Sequence, residues 1–397
     1  MNPELSTKLG IANIGNTCFF NSALQCLRLC PAIGEIFLKP DALRIRDGSD
    51  RKELVQAFRT LMIDFWKNAY PIDSSPTLIP KGFFQSLFNV LEETNNGWYS
   101  KGEQADAPEA IQYILESLHD GMYHKVNMEI QGSATNCEET SQIKAIESWA
   151  KFYEKEYSPI IDKFHGQTQI CVKCERCGAI TERYEPWMMI KVPIPGGDEE
   201  GGPAPNLTSC LSAAFAPDSL DDFDCNSCAR KLAKANGEYY TNDDAVMHSK
   251  YKTKGKATIY NRISRLPPVV ILSIKRFTND GRKVRGKLDW DLDGLDISPV
   301  MAFSRNPFAS ESVKKSSIYE TYAVIEHHGS LHGGHYTMYG KQNESWYEYD
   351  DNSVNEVTPD RVVNQDSYIL FLIPKSSSKQ MNATFAETIR ELRNRSQ

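Results

Sequence analysis

Two Cys-x-x-Cys pairs, Cys174 with Cys177 and Cys225 with Cys228, constrain this chain more than any other feature. Four soft thiolates in paired spacing suit a closed tetrahedral zinc site. Residues 178 to 224 must then leave and return to one point, a wider excursion than in the simplest zinc ribbons. Such an ion would be structural, its binding energy becoming folding energy. Cys171 stands at the same spacing from Cys174, but Gly178 after Cys177 eases a knuckle turn and favours the later pair. A reduced, metal-free cluster is the alternative.

The metal reading requires reduced thiols. The first residues, Met1 to Lys8, lack the apolar stretch of a secretory signal. No stretch approaches the roughly 18 apolar residues of a membrane span. The expected location is the cytosol or nucleus, where paired cysteines point to metal rather than to disulfides. Cys26, Cys30, Cys137 and Cys210 then read as small hydrophobes. The sequons at Asn206, Asn343 and Asn382 read as chance matches.

A chain of 397 residues suits two or three lobes and can bury a sizeable core. Its net charge of −7 argues against a nucleic-acid partner, since phosphate binding needs a basic surface. Residues 18 to 165 read as mostly helical, with apolar residues at helical spacing in Leu54 to Phe65 and in Ile111 to Leu118. Residues 167 to 262 are richer in strand formers, hold most of the cysteines, and contain a flexible break from Pro195 to Pro203. Short strands dominate from Leu266 to Pro374, with Val269 to Ile274 as a buried central strand. The end of the chain, from Lys375, offers a weakly amphipathic helix carrying Phe385, Ile389 and Leu392. It is expected to be a solvated, loosely packed tail.

The segment around Cys18 is the richest in chemistry. Polar residues and glycine run up to it, and a helical pattern follows until Pro31 forbids continuation. Cys18 is therefore expected at a helix N-terminus, where unpaired N–H groups and the dipole favour a thiolate. Gly15 and Asn16 would let the backbone turn tightly and expose the sulfur. Asn13 offers an amide donor which, with the Cys18 N–H, could form an oxyanion hole. A buried cysteine in a core helix is the competing reading, so a base is needed to decide.

His335 supplies one. Strand-forming residues Tyr336 to Tyr339 and Trp346 to Tyr349 flank Lys341 to Glu344, which read as a four-residue hairpin loop. That register sets His335 directly opposite Asp350, near enough for a carboxylate to orient an imidazole. A slip by one residue would bring Asp351 across instead. Thiol, imidazole and carboxylate together make a nucleophilic triad. His327, His328 and His332 could join His335 in a metal site, but the glycines at 329, 333 and 334 make the segment a loop. These histidines are expected to structure that loop.

Gly10 to Ser22 and His327 to Asp351 resemble the Cys and His boxes of the ubiquitin-specific protease family. Gln104 to Glu109, Phe164 to Gly166, and Leu266 to Phe277 are family-like as well, so the resemblance spans roughly residues 8 to 374. It implies an α+β fold related to papain-like cysteine proteases. That fold is a hand with a helical thumb (about 8–165), zinc-bearing β fingers (about 166–262) and a β-rich palm (about 263–375), followed by a tail over 376–397. The resemblance implies Cys18 as nucleophile, His335 as base, Asp350 as its orienter and Asn13 as oxyanion donor, with Asp351 at the neighbouring polar position. Phe19-Phe20 and Ser273-Ile274 depart mildly from the family pattern, and neither removes a reacting group.

Asp106 and Glu109 have two readings. Their spacing forms a capping box on the Ile111 to Leu118 helix, with Asp106 as N-cap. The resemblance instead implies pairing with arginines of ubiquitin's C-terminal tail. Gly333 and Gly334 are read as walls of a narrow channel for that glycine-ended tail. The implied activity is hydrolysis after ubiquitin's C-terminal glycine, with structural Zn2+, with ubiquitin and ubiquitinated proteins as partners, and with no nucleic acid or membrane. Whether an activating or scaffolding partner is needed stays open. A ubiquitin-binding pseudoenzyme and a protease for another ubiquitin-like modifier are the alternatives.

Overall fold

The computed structural model describes residues 8–68, 76–94, 99, 102–129, 133–196, 205–239, 249–278, 280–302, 317–330 and 333–396. Of the expected break from Pro195 to Pro203, all but the first two residues lie outside them, as does His332.

The N-terminal part is helical, apart from two short strands. It comprises β1 (Gly10–Ile11), α1 (Cys18–Leu29), α2 (Pro31–Phe37), α3 (Lys52–Trp66), β2 (Thr77–Leu78), α4 (Lys81–Thr94), α5 (Ala107–Met122), α6 (Cys137–Tyr153) and α7 (Pro159–Phe164). Every residue of α1 is buried, and Cys30 ends it by serving as N-cap to α2, whose first residue is Pro31. Buried Arg28 donates to the Leu9 carbonyl at 3.1 Å and to Gln25 Oε1 at 2.8 Å. Its guanidinium also lies over the rings of Phe65, Trp66 and Tyr349. In α3 the expected stripe of Leu54, Ala57, Phe58, Leu61, Met62 and Phe65 is buried except at Ala57, which is half-buried.

The remaining elements are β3 (Gly166–Cys174), β4 (Ile180–Trp187), β5 (Met189–Val192), α8 (Leu207–Ala214), β6 (Asp218–Asp224), α9 (Asn226–Ala235), β7 (Lys254–Arg265), β8 (Val270–Ile274), β9 (Leu295–Asp296), β10 (Ile318–Ser330), β11 (Gly333–Gln342), β12 (Ser345–Asp350), β13 (Ser353–Val357), β14 (Ser367–Pro374) and α10 (Lys375–Ser396). A four-stranded sheet has the order β4-β3-β7-β6 and carries the cysteine knuckles at one end. An eight-stranded sheet has the order β13-β12-β11-β10-β14-β8-β5, with β9 on β10. Strand β8 is buried throughout and lies between β14 and β5, as a β-branched run requires. Strand β5 therefore joins the large sheet, although it lies in the stretch assigned mainly to the zinc-bearing strands.

Helices cover one face of the large sheet, where Ala23, Leu27, Ile111 and Phe164 meet Ala323, Ile325, Met338 and Phe371. The other face buries Val324, Leu370 and Leu372 against Leu207, Leu211 and Trp290. Among the described residues no helix is long and apolar enough to cross a membrane.

Three expectations are corrected. The chain end is a docked helix rather than a loose tail. Phe385 of α10 fills a notch at Gly34, where a Cβ would lie 2.3 Å from its ring, and packs edge-on against Trp66. Ile389 is buried, and Arg393 Nε donates to the Trp66 carbonyl at 2.9 Å. A weak stripe suffices because a small residue on α2 leaves room for a ring. The β11–β12 turn is two residues, Asn343 and Glu344, between the paired Gln342 and Ser345. Asn343 takes φ 54, which an asparagine tolerates, so the strands run further than the expected four-residue loop allowed. The segment from His327 to Ser330 is strand, paired through Ser330 with Gly333, rather than loop.

Candidate active site

Cys18 opens α1, after a turn in which Gly15 takes φ 121 and Asn16 takes φ 53. The thiol is nonetheless buried. Burial pushes its pKa above the ordinary cysteine value, against a smaller opposing effect of the Tyr336 backbone N–H, and the negative charge of Asp351 raises it further. The local N–H donors expected to favour a thiolate do act in that direction, but loss of solvent outweighs them.

His335 lies on β11 and donates from Nε2 to Asp350 Oδ1 at 2.6 Å. With that nitrogen holding the proton, Nδ1 keeps the lone pair of the neutral ring. Asp350 reaches His335 although the register differs from the expected one. Met338 pairs with Tyr349, so continuing the ladder sets Asp350 opposite Thr337, two residues from His335. A slip of two keeps both side chains on one face of the sheet. Among the described residues no hydrogen bond joins His335 to Cys18.

Asp351 has φ 48 at the turn into β13. Its carboxylate accepts from Asn13 Nδ2 at 2.9 Å and from Asn21 Nδ2 at 2.7 Å, and its carbonyl accepts from the Ile11 N–H. Asn13 Oδ1 in turn accepts the N–H groups of Gly15 and Thr17, both at 3.1 Å. The Asn13 amide is therefore fixed on both sides next to Cys18. Asn21 was missed by sequence reasoning, yet it stands one helical turn after Cys18, a spacing that places both on one face.

Asp106 occupies the N-cap position of α5, but its side chain makes no capping bond there. It accepts instead from Tyr336 Oη at 2.8 Å and Tyr368 Oη at 2.9 Å. The capping box is corrected: two buried phenols need an acceptor, and Asp106 supplies it. Burial raises the Asp106 carboxyl above its usual range, with the phenols opposing. Glu109 is exposed in the first turn of α5; desolvation raises its carboxyl, and Asp106 adds to the effect.

The two glycines differ. A Cβ on Gly334 would lie 2.3 Å from His327 Nε2 and 2.5 Å from the His328 carbonyl, so packing of β10 on β11 explains that glycine. A Cβ on Gly333 would meet only Gln104 Oε1, at 3.6 Å. A bulky residue at 334 would disturb β10 and is no clean test of a channel. His327 is buried among Phe277, Tyr336 and Tyr368, whereas His328 faces Glu326 at 3.3 Å and Asp366 at 3.6 Å. The described histidines thus diverge rather than share a metal.

Cys174, Cys177, Cys225 and Cys228 converge, with all four sulfurs within 4.8 Å of one another. The Cys174–Cys228 and Cys177–Cys225 separations are 3.8 and 3.6 Å. Sulfurs about 2.3 Å from a tetrahedral Zn2+ lie about 3.8 Å apart, so this set fits structural zinc. Gly178 takes φ 71 in the first knuckle, and Cys225 caps α9 in the second. Cys171 sits on β3 opposite Glu182, outside the cluster.

A thiol at a helix N-terminus beside an imidazole–carboxylate pair on a sheet gives fold and site the layout of a cysteine protease. The model of the ubiquitin carboxyl-terminal hydrolase family matches residues 9–372, and the chain belongs to that family. It is 27% identical over 382 residues to rat ubiquitin carboxyl-terminal hydrolase 21, covering 92% of this chain and 61% of the relative. Bovine ubiquitin carboxyl-terminal hydrolase 2 is 28% identical over 375 residues, covering 91% and 54%. The chain thus spans less than two thirds of the length of these relatives. The fold is also that of a chain in the SAGA Ubp8/Sgf11/Sus1/Sgf73 DUB module bound to ubiquitin aldehyde (TM-score 0.63, 19% identity, 92% of this chain and 69% of that one).

Proposed function

We propose that this protein is a deubiquitinase, hydrolysing the isopeptide or peptide bond after the C-terminal glycine of ubiquitin. The observation that carries the reading is His335, held by Asp350 at 2.6 Å with Nδ1 left to accept a proton, on the strand beside Cys18. Family membership supplies the substrate class.

Nδ1 takes the Cys18 proton, and the thiolate attacks the carbonyl carbon of the terminal glycine. The oxyanion receives hydrogen bonds from the Cys18 N–H and from Asn13, whose amide is already oriented by Asp351. His335 returns the proton to the departing amine as the C–N bond breaks. Water, deprotonated by His335, then attacks the thioester, and the thiol is restored. Burial raises the Cys18 thiol above its ordinary value, and among the described residues no hydrogen bond joins it to His335, so in this reading the two approach as substrate binds.

Exposed Glu109 is available to an arginine of the ubiquitin tail, whereas Asp106 is held by its two phenols. In this reading the helical part is the thumb, the four-stranded sheet with zinc the fingers, and the eight-stranded sheet the palm. Gly333 lines the path of the tail. Ubiquitinated proteins are the partners, in the cytosol or nucleus, and an activating partner would act by closing Cys18 on His335.

The test is release of a fluorophore amide-linked to ubiquitin's C-terminus, by wild type and by Cys18→Ser. Release that the mutant abolishes is expected. No release from folded, zinc-loaded protein would overturn the reading in favour of another modifier or a binding role without catalysis.

A further inference from the structure

The segment Gly102 to Asp106 touches both halves of the proposed site. Gly102 accepts at its carbonyl from Asn16 Nδ2 at 2.8 Å, in the turn before Cys18. Its N–H donates to Tyr99 Oη at 3.2 Å, and the Tyr99 ring packs on Phe19 and Phe20, the residues that follow Cys18. Two residues on, Gln104 crosses to the residue before His335. Its Nε2 donates to the Gly334 carbonyl at 3.0 Å, and its Oε1 accepts the Gly334 N–H at 3.1 Å. Asp106 then holds Tyr336, the residue after His335.

The Gln104 pair has a specific cause. Strand β12 pairs with β11 only from Met338 onward, so Gly334 lies beyond its reach on that edge. A carboxamide offers one donor and one acceptor, the same pattern as a neighbouring strand's peptide group. Gln104 thus stands in for a neighbouring strand at Gly334, the residue before His335, in the stretch where the ladder has run out.

We infer that Gln104 is a positioning residue, which with Gly102 and Asn16 forms a strap fixing the His335 strand at a set distance from the Cys18 turn. This rests on the proposed roles of Cys18 and His335. Gln104 touches neither reacting atom and acts through the Gly334 backbone. A misplacement of about 1 Å at a reacting pair can lower turnover about 100-fold, so two hydrogen bonds at this point have leverage on the rate.

The test uses Gln104→Met, which keeps length but loses both bonds, and Gln104→Glu, which keeps the acceptor for the Gly334 N–H. Amide exchange at Gly334 reads the pair itself, and the side-chain NMR signal of His335 reads its consequence; neither needs ubiquitin. With the ubiquitin–fluorophore substrate, Gln104→Met is expected to lower kcat about 10- to 100-fold while KM stays within about threefold. Gly334 exchange should quicken, the His335 signal should move, and Gln104→Glu should recover part of the rate. Asn16→Gly, which keeps the left-handed turn, should lower kcat in a way not additive with Gln104→Met.

A raised KM with kcat retained would make Gln104 a substrate contact, and a lowered KM with kcat retained would make it a gate. Either overturns the inference, as does an unprotected Gly334 with unchanged kcat. If the wild type releases nothing from ubiquitin, the functional proposal fails, and the His335 signal decides the strap alone. No shift in Gln104→Met would end it.

Discussion

His335 and Asp350 meet on a diagonal of the β11–β12 hairpin, Nε2 to Oδ1 at 2.6 Å, and not as a directly opposed pair. A diagonal contact demands a particular ring orientation, so the carboxylate selects the rotamer as well as the tautomer. Asp350→Asn should lower kcat about 10²- to 10⁴-fold with little change in KM or melting temperature, because an amide also stabilises the wrong tautomer. Steady-state kinetics on the ubiquitin–fluorophore amide checks this. Activity within a few-fold of wild type would remove Asp350 from the mechanism.

Asp351 holds Asn13 and Asn21 with separate carboxylate oxygens. Loss of an oxyanion donor costs about 10²- to 10³-fold in kcat, and Asn13→Ala is expected to fall in that range. Asp351→Ala should lose nearly as much, because the amide is then unheld. In a double-mutant cycle the two losses should not add. Full additivity would mean that Asp351 acts on the reaction by another route.

How much of this was legible follows from what each signal depends on. Cys18 at a helix start could be read because Pro31 and the polar run before Cys18 are local signals. The four zinc-fitting cysteines could be read because Cys-x-x-Cys spacing encodes its own geometry. The hairpin register was misread by two residues, since turn length depended on Asn343 accepting φ 54. The His335–Asp350 contact survived because an even slip preserves the face. Asp106 showed the opposite failure: the local capping pattern was present, but Tyr336 and Tyr368, distant in sequence, took the carboxylate. Gln104 and the docking of α10 depend on a gap in a ladder and a notch at Gly34, and periodicity carries neither.

Zinc binding should depend on Cys174 and not on Cys171. Elemental analysis should find zinc retained in Cys171→Ser and lost in Cys174→Ser and Cys228→Ser, with limited proteolysis then opening the four-stranded sheet. The reverse order for Cys171 and Cys174 would mean that the earlier pair forms the knuckle.

The docked α10 should matter to stability and little to chemistry. Gly34→Leu would drive a side chain into the Phe385 ring, and Ile389→Ala would empty a buried site at a cost of about 2–4 kcal/mol. Both should lower the melting temperature while kcat per folded molecule stays near wild type. An unchanged melting temperature would mean that the helix does not dock in solution.

The protonation of Cys18 can be read without substrate. Burial disfavours the charged thiolate, so its pKa lies above that of a free cysteine, about 8.5. Alkylation proceeds through the thiolate, and its rate follows the thiolate fraction. The rate of iodoacetamide labelling at Cys18, corrected with Cys18→Ser, should therefore still be climbing at pH values where free cysteine has levelled off. Because the Asp351 charge pushes the thiol in the same direction as burial, Asp351→Asn should shift the curve toward lower pH. A half-maximum below that of free cysteine would show the opposite arrangement, a thiolate–imidazolium pair already formed before substrate arrives. The closing of Cys18 on His335 would then be removed from the binding step.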